Sequence, residues 1–169
     1  SVNFAREHGA SYSEARLENS WEEGFLLKNG VLESSTFSQS QGLGIRVLAN
    51  GGMSFVAINK FDKDLVKERI LEAINLAKVA AKTLKEPIRM SQEKAVKDKW
   101  EVRQKIKLSE VGPDEKLKDL LEIEKGLKDI KSKLPSRVFV LTNNVTDKYF
   151  LSSEGMEISS RLPRVALFA

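Results

Sequence analysis

The sequence has no cysteine and only one histidine, His8, among its 169 residues. The lack of cysteine excludes disulfide bonds and thiolate metal ligands. A hydrolytic zinc site needs three protein ligands and an open position for water, which a single imidazole cannot provide. A serine triad also needs a histidine base, and no serine lies in a Gly-x-Ser-x-Gly turn. We therefore expect no catalytic residue, no cofactor-binding residue and no metal ligand in this chain.

Long hydrophobic runs are absent as well. No stretch of about 18 consecutive apolar residues is present, so we expect no membrane-spanning helix. The first residues lack the order of charged, apolar and small residues that defines a secretory signal. A cytoplasmic location is the expectation, and the lack of cysteine fits it. The length fits one domain, residues 1–169, with a substantial buried core.

The net charge of +4 comes from a single segment, residues 89–107. This segment holds seven basic and three acidic residues, and the remainder of the chain is balanced. Its basic side chains would follow phosphates while Trp100 stacks on a base, as in single-stranded nucleic-acid binding. The interspersed acids favour instead a charged connector that Trp100 anchors to the core. The candidate nucleic-acid contacts are Arg89, Lys94, Lys97, Lys99, Trp100, Arg103, Lys105 and Lys107.

Alternation of apolar residues predicts an antiparallel β-meander of about five strands in the first third of the chain. Its clearest part is a hairpin over residues 41–57, where Asn50-Gly51 provides the two positive-φ residues of a type I′ turn. Asn29-Gly30 gives a second such turn, and Asn19-Ser20 is expected to separate the first two strands. The predicted strands are residues 11–18, 21–27, 31–38 and the two arms of the hairpin.

Two long amphipathic helices are predicted to pack on this sheet. The first begins at the capping residue Asp62 and is closed by Pro87. The second begins at Gly112-Pro113-Asp114 and is terminated by Pro135. The inner positions are Val66, Ile70, Ala73, Ile74, Ala77, Ala81 and Leu84 in the first helix, and Leu117, Leu120, Leu121, Leu127, Ile130 and Leu134 in the second.

The remaining segments predict shorter elements and further C-terminal strands. Asn143-Asn144 is expected to join two of these strands, and Ser153-Glu154-Gly155 is expected to form another turn. Strands together with separate helices predict an α+β fold. The expected elements are a helix tail over residues 2–8, a short strand within residues 102–108, and strands over residues 137–142, 145–151 and 164–169.

Several segments, taken in order, resemble the N-terminal part of the TldD/PmbA family, whose members were once called modulators of DNA gyrase. Residues 9–18 resemble the first strand of that family, and residues 27–33 resemble its second turn. The hairpin over residues 42–57 and the Ala-rich helix follow. Ser152-Ser153-Glu154-Gly155 is similar to the family's Asn-Ser-Glu-Gly turn, with Ser152 in place of Asn.

The resemblance implies a metallopeptidase of two domains, of which this chain is the N-terminal one. In that family the zinc ligands lie in a C-terminal His-Glu-x-x-x-His helix, and this sequence lacks the motif, so no catalytic residue is carried over. Zinc is implied for the parent protein alone. The family pairs a zinc-bearing TldD type with a PmbA (TldE) type around a peptide chamber. A homologous subunit is therefore the implied partner, in a dimer or heterodimer, and peptides are the implied substrates.

Three functions remain open at this stage. The similarity of residues 21–44 to the TldD type favours an accessory domain of a metallopeptidase for unfolded or short peptides, which positions the partner and walls the chamber. The first alternative is the non-catalytic PmbA/TldE-type subunit, which the two downstream histidines would distinguish by their presence or absence. The second is a modulator that binds nucleic acid through residues 89–107, with an affinity that falls steeply with salt.

Overall fold

The computed structural model describes residues 2–91, 93–127 and 134–169. In this part of the chain it confirms the α+β prediction, with a six-stranded sheet in the order β3-β2-β1-β5-β6-β4. The elements are α1 (Val2–Glu7), β1 (Tyr12–Lys28), β2 (Val31–Ala49), β3 (Gly52–Ile58), α2 (Lys63–Ala81), β4 (Lys97–Glu101), a 3-10 turn (Leu108–Glu110), α3 (Pro113–Gly126), β5 (Val138–Ser152) and β6 (Glu157–Phe168).

The chain divides into two compact units, which we call unit 1 and unit 2. Unit 1 comprises Ser1–Asn19, Ser40–Trp100 and Asp147–Ser160. Unit 2 comprises Ser20–Gln39, Glu101–Thr146 and Arg161–Ala169. The long strands of the sheet therefore supply residues to both units.

Both Asn-Gly turns are confirmed. Asn29 and Asn50 adopt φ values of 50° and 53°, and the glycines that follow them, Gly30 and Gly51, adopt 82° and 80°. Positive φ at both central residues is the requirement of a type I′ turn, which matches the twist of the flanking strands. The second turn sets the antiparallel register of β2 and β3, from Ala49 opposite Gly52 to Leu43 opposite Ile58.

The predicted turn at Asn19-Ser20 is wrong, because β1 runs through it without a break. The Ser20 hydroxyl lies 3.0 Å from the Thr146 hydroxyl and accepts a hydrogen bond from Asn144 Nδ2 at 3.0 Å. This serine therefore bonds to β5 instead of closing a turn. The segments over residues 31–38 and 41–49 likewise form one strand, β2, so two long strands and the shorter β3 replace the expected five.

The predicted turn at Asn143-Asn144 is also wrong, since β5 continues through both residues. Asn143 is 1% exposed and its Nδ2 donates to Glu23 Oε2 at 3.4 Å. Asn144 donates to Ser20 on the same neighbouring strand. Asparagine favours turns when its side chain bonds to its own nearby backbone, and here that capacity is directed across the sheet.

The edge strand β4 makes the sheet mixed. The Glu157 N–H donates to the Val96 carbonyl, and the Val102 N–H donates to the Arg161 carbonyl. Both partners advance in the same direction along the chain, so β4 runs parallel to β6. The strand occupies residues 97–101 instead of the predicted 102–108, and β6 begins at Glu157, seven residues before the predicted start at Arg164.

The core of unit 1 lies between α2 and the β2–β3 hairpin. Asp62 caps α2 as predicted, accepting from the N–H groups of Asp64 and Leu65. The helix ends at Ala81, before Pro87, so Leu84 falls outside it and is exposed. The buried apolar residues of this core are Ala5, Ala10, Ile45, Val47, Ala49, Ile70, Ala73, Ile74 and Ala77.

The core of unit 2 is smaller. Leu120 of α3 packs with Phe25, Leu27 and Phe139 of the sheet, as the predicted inner stripe requires. Leu117, Leu121 and Leu127 are partly buried against this cluster. The helix is described as far as Gly126; Leu134 is exposed, and the predicted inner position Ile130 lies outside the described residues. Among the described helices, none has the length and apolar character to cross a membrane.

Candidate functional site

His8 lies just after α1 and has local partners. Its Nδ1–H donates to the Phe4 carbonyl at 2.8 Å, and the two rings pack with their centroids 4.0 Å apart. Across residues 2–91, 93–127 and 134–169, no group of three histidine, aspartate or glutamate side chains is arranged to hold a metal ion. The residues present therefore do not fit the zinc that the resemblance implies for the parent protein.

A buried carboxylate, Glu14, organises a polar cluster in unit 1. Its Oε2 accepts a hydrogen bond from the Tyr12 hydroxyl at 2.7 Å, and its Oε1 lies 3.1 Å from Arg16 Nε and 3.3 Å from Arg46 Nη1. Burial raises the pKa of Tyr12, and the hydrogen bond to Glu14 raises it further. Arg16 also lies over the Phe150 ring, 5.3 Å from its centroid. The cluster ties β1 to β2 and β5.

A half-buried carboxylate, Glu23, lies in unit 2. Its Oε2 accepts a hydrogen bond from Lys116 Nζ at 2.5 Å and a longer one from Asn143 Nδ2 at 3.4 Å. Lys116 is 7% exposed, and its ammonium lies 6.0 Å from the centroid of the Trp21 ring. A buried ammonium of this kind needs a carboxylate partner, because removing the charged group from water without one costs roughly several kcal/mol.

Another ion pair, between the half-buried Arg137 and the buried Glu124, joins α3 to the start of β5 in unit 2. Arg137 Nε lies 3.0 Å from Glu124 Oε1, and Nη2 lies 2.9 Å from the same oxygen. Arg137 Nη1 donates to the Leu134 carbonyl, while the Arg137 N–H donates to Asn29 Oδ1. Arg137 therefore joins α3, through Glu124, and the end of the β1–β2 hairpin, through Asn29, to the chain that enters β5.

A cleft of about 350 Å³ opens at the start of α3 in unit 2. Phe37 on its sheet side is 70% exposed. Gly112 is the N-cap residue of α3 and has no side chain to cap it, and Pro113 begins the helix. The side chains that give the cleft its character are Trp21, Phe37, Gln39, Leu108, Val111 and the Lys116–Glu23 pair.

The outer side of β2 borders this cleft. The register pairs β3 with residues 43–49 of β2 and uses all seven residues of β3. Since β3 and β1 are the neighbours of β2 in the sheet, no described strand lies on the outer side of residues 31–42. Every residue from Val31 to Gln41 is exposed, as the polar composition of this stretch predicts.

Unit 2 also carries a hydrogen-bonded cluster of hydroxyl and amide groups on β1 and β5. The Thr146 hydroxyl donates to Asn144 Oδ1 at 3.0 Å, and Asn144 Nδ2 donates to the Ser20 hydroxyl at 3.0 Å. All three residues are only partly buried. This part of the sheet therefore presents polar groups at a position where a core would present apolar ones.

The predicted nucleic-acid contacts all lie at exposed positions, in both units. Arg89, Lys94, Lys97, Lys99 and Trp100 belong to unit 1, whereas Arg103, Lys105 and Lys107 belong to unit 2. Trp100 is 52% exposed, so it does not anchor the segment in the core as the connector hypothesis expects. Side chains alternate along a strand, which puts Trp100 on the opposite face of β4 from its basic neighbours Lys97 and Lys99.

Two of these basic residues have acidic partners. Lys97 Nζ lies 3.3 Å from Glu157 Oε2, and Lys107 Nζ lies 3.7 Å from Glu110 Oε1. Tyr149 also donates to Glu157, at 2.7 Å. The hydrogen bond from Tyr149, followed by the interaction with Lys97, lowers the pKa of Glu157, and the same bond raises the pKa of Tyr149. Because the nearby carboxylates offset the positive charge of these two lysines, their attraction for a phosphate is weaker than that of an unpaired lysine.

Sequence reasoning missed the buried charges of unit 2. Lys116 and Glu124 lie four residues to either side of Leu120, so all three occupy one face of α3. That spacing places two opposite charges on the apolar stripe of the helix and was readable from the sequence. The partners Glu23 and Arg137 were not readable in the same way. Glu23 lies on β1, 93 residues before Lys116, and Arg137 lies outside the helix, 13 residues after Glu124.

Comparison with known proteins identifies relatives over almost the whole chain. Residues 13–81 match the family model described as PmbA/TldA metallopeptidase domain 1, and residues 106–169 match the PmbA/TldA metallopeptidase central domain. The metalloprotease MJ0996 of Methanocaldococcus jannaschii is 25% identical over 158 residues, which are 93% of this chain and 34% of that protein.

Solved structures share the fold. A protein from Bacteroides thetaiotaomicron, named for a suggested role as a modulator of DNA gyrase, superposes with a TM-score of 0.75 at 16% identity, over 98% of this chain and 38% of that one. TldE from Thermococcus kodakarensis superposes with a TM-score of 0.67 at 18% identity, over 98% of this chain and 37% of that one.

These matches define the class of protein, a segment of a metallopeptidase family with an α+β fold. The chain belongs to the PmbA/TldD family. It spans about a third of the length of the relatives that it matches.

Proposed function

We propose that this chain is the N-terminal accessory part of a TldD-type zinc metallopeptidase that acts in the cytoplasm on unfolded or short peptides. Its role is to position a homologous subunit and to wall the peptide chamber. The observation that carries the proposal is the ordered match to two domains of a metallopeptidase family by a chain with one histidine and no cysteine. Such a chain supplies scaffold, and the metal ligands belong to the remaining two thirds of the parent protein.

The polar character of the sheet in unit 2 supports a wall in contact with water. Ser20, Asn144 and Thr146 satisfy one another by hydrogen bonds instead of being covered by apolar side chains. The exposed stretch of β2 adds further hydroxyl and amide groups, from Ser34 to Gln41. A hydrated chamber requires walls of this kind, because an apolar lining would bind its contents without selection.

The experiment compares the isolated chain with the parent polypeptide mixed with its homologous subunit. The isolated chain should retain no zinc and cleave no peptide. The mixture should sediment as one complex and cleave an unstructured peptide, but not the same sequence inside a folded domain, and a chelator should abolish the cleavage. Chelator-sensitive cleavage by the isolated chain would overturn the proposal.

The chamber wall has its own test, because the chain has no cysteine of its own, and any cysteines in the rest of the parent protein and in its partner are first replaced. Ser38→Cys on β2 should react with a small maleimide in the assembled parent protein and be protected from a maleimide joined to a large polymer. Lys67→Cys on α2 is the control and should react with both reagents. Equal reaction of Ser38→Cys with both reagents in the assembly would place β2 outside the chamber.

The non-catalytic PmbA/TldE-type subunit is a second candidate. The fold likeness to TldE from Thermococcus kodakarensis is compatible with it. Metal analysis of the purified parent polypeptide separates the two, since the TldD type should hold zinc and the TldE type should not.

A nucleic-acid modulator remains the third candidate. The exposed Trp100 favours it, whereas the opposite faces of β4 and the partners of Lys97 and Lys107 weigh against it. It requires binding of single-stranded DNA that weakens steeply with salt and on Trp100→Ala. We expect no such binding.

A further inference from the structure

The outer edge of β2 lacks the features by which proteins protect an open strand. Residues 31–39 hold one charge, Glu33, and contain no lysine and no proline. Exposed edges are commonly blocked by lysine, proline or a covering element, because their unpaired N–H and C=O groups are templates for another strand. Among the described strands none covers this stretch, and its residues are exposed. The edge is therefore available to an extended chain.

The cleft at the start of α3 lies beside the same edge. Phe37 and Gln39 belong to the open stretch and also line the cleft. They are two residues apart, so they project from the same face of β2. A chain paired with this edge would direct alternate side chains to that face, next to Phe37. The volume of about 350 Å³ is at the lower end for ligand pockets and suits one large side chain.

We propose that residues 31–39 of β2 bind an extended, uncharged peptide as an added strand, and that the cleft takes one aromatic or large apolar side chain of that peptide. Backbone pairing would give affinity for any unfolded chain, and the cleft would give a preference at one position. The inference rests on the proposed function, because it is the peptidase activity of the parent protein that would bring peptides to this edge. It adds a holding site on this chain, apart from the site of cleavage.

Charge supports a neutral peptide as the occupant. The two charges that line the cleft, Lys116 and Glu23, neutralise each other at 2.5 Å. Glu33 is the one charged side chain of the edge stretch. A phosphate-rich or strongly charged ligand would find no complementary charge here, whereas an apolar side chain would find Trp21, Phe37 and Val111.

A second copy of the chain is a poorer occupant. Nine paired residues form a strip about 30 Å long, and a sheet about 10 Å thick would then bury roughly 600 Å² in total. Stable dimers bury about 1,200 Å² or more, twice that area. Edge-to-edge pairing would therefore be too weak to keep the site closed against peptides.

The test uses the fluorescence of Trp21. Trp100→Phe removes the other tryptophan of the chain, so Trp21 in the cleft becomes the sole reporter. The probe is a short capped peptide of threonine and glutamine with one central phenylalanine. It should shift the Trp21 emission in a saturable manner, and a probe with serine in place of phenylalanine should bind about tenfold more weakly. Equal binding of both probes, or no shift with either, would overturn the inference.

Two further comparisons separate strand addition from general stickiness. Phe37→Ala should weaken binding of the phenylalanine probe about tenfold, whereas Phe55→Ala, which removes an exposed phenylalanine of unit 1, should not change it. N-methylation of one set of alternate residues in the probe should abolish binding, and N-methylation of the other set should leave it intact. Equal effects of the two sets would exclude pairing with an edge.

Sedimentation of the peptide-free chain completes the test. A dimer at the concentrations used, lost on Ser35→Lys and dissociated by the probe, would show that a second copy occupies the edge and would overturn the inference. Failure of probe binding with normal assembly and cleavage by the parent protein rejects the holding site alone. Failure of assembly or cleavage with normal probe binding rejects the proposed function alone.

Discussion

Arg137 holds Glu124 through two of its guanidinium nitrogens, at 3.0 Å and 2.9 Å from the same carboxylate oxygen. The side chains are 12% and 3% exposed. Arg137 comes from the segment that enters β5 and Glu124 from α3, so the pair joins this helix to the start of the strand that follows it in unit 2. A charge-assisted contact of this geometry is stronger than a neutral hydrogen bond and fixes the guanidinium plane.

Removal of one partner of this pair should be costly. Arg137→Ala removes the guanidinium from the buried Glu124 carboxylate, so we expect the free energy of unfolding to fall by about 3–5 kcal/mol. Urea denaturation followed by Trp21 fluorescence in the Trp100→Phe background measures the change in unit 2. The control is Lys118→Ala, which removes the exposed Lys118–Glu122 pair and should cost less than about 1 kcal/mol. Similar costs for the two variants would mean that the buried pair contributes little.

Two glycines should respond in opposite directions to alanine. A Cβ at Gly52 would lie 2.0 Å from the Ala77 carbonyl oxygen and 2.5 Å from the Ala81 nitrogen, so α2 would have to move away from β3. We expect Gly52→Ala to destabilise unit 1 by about 1–3 kcal/mol or more. A Cβ at Gly126 would meet nothing within 4 Å, and Gly126→Ala should stabilise α3 by about 0.5–1 kcal/mol. Thermal denaturation by circular dichroism gives both values, and a harmless Gly52→Ala would contradict the close approach of α2.

Alkaline pH should weaken unit 1 through Tyr12. Burial and the bond to Glu14 raise the pKa of Tyr12 above its ordinary value of about 10. A group with a raised folded pKa stabilises the fold fully below its unfolded pKa, so this contribution is complete below pH 10 and is lost as the pH rises beyond it. In Tyr149→Phe, where Tyr12 is the sole tyrosine, tyrosinate absorbance should appear together with unfolding. Ionisation near pH 10 in the folded protein would refute the buried phenol.

Acid should act on unit 1 through Glu157. The pKa of Glu157 is lowered by Tyr149 and Lys97, so its stabilising contribution is present above the ordinary glutamate pKa of about 4.5 and is lost as the pH falls through the folded value. Tyr149→Phe removes the larger cause. NMR titration of the Glu157 carboxyl should then give a pKa closer to the ordinary value than in the unmodified chain. An unchanged titration would mean that the hydrogen bond is not formed in solution.

The sequence was sufficient to predict those elements whose conformation depends only on neighbouring residues. Asn29-Gly30 and Asn50-Gly51 form the predicted turns because both residues of each pair must tolerate positive φ. The Asp62 cap and the inner stripe of α2 follow from equally local rules. Asn19-Ser20 and Asn143-Asn144 have turn-like composition too, but their side chains bond across the sheet, which no local rule contains.

The site features could be predicted only in part. A single imidazole and no thiol group excluded a histidine-rich metal centre from composition alone. The burial of Trp100 that the connector hypothesis requires is wrong, since Trp100 is 52% exposed. The cleft needs Trp21, Phe37 and Val111 from three separated segments, and the open edge of β2 depends on where β3 stops. Both are consequences of tertiary pairing.

The contact between Asn29 and Arg137 also affects where the protein will deamidate during storage. Loss of the amide from an Asn-Gly pair begins when the glycine nitrogen attacks the asparagine side-chain carbon. Asn29 Oδ1 accepts from the Arg137 N–H and the Asn29 N–H donates to the Arg137 carbonyl, both at 2.9 Å, which restrains that side chain. Asn50 has the same backbone conformation, but the hydrogen bond at its turn is accepted by the Gly51 carbonyl from the Ile88 N–H and does not involve the Asn50 side chain. Stored protein should therefore deamidate first at Asn50. Each deamidation converts a neutral amide into a carboxylate and so lowers the net charge of the protein by one.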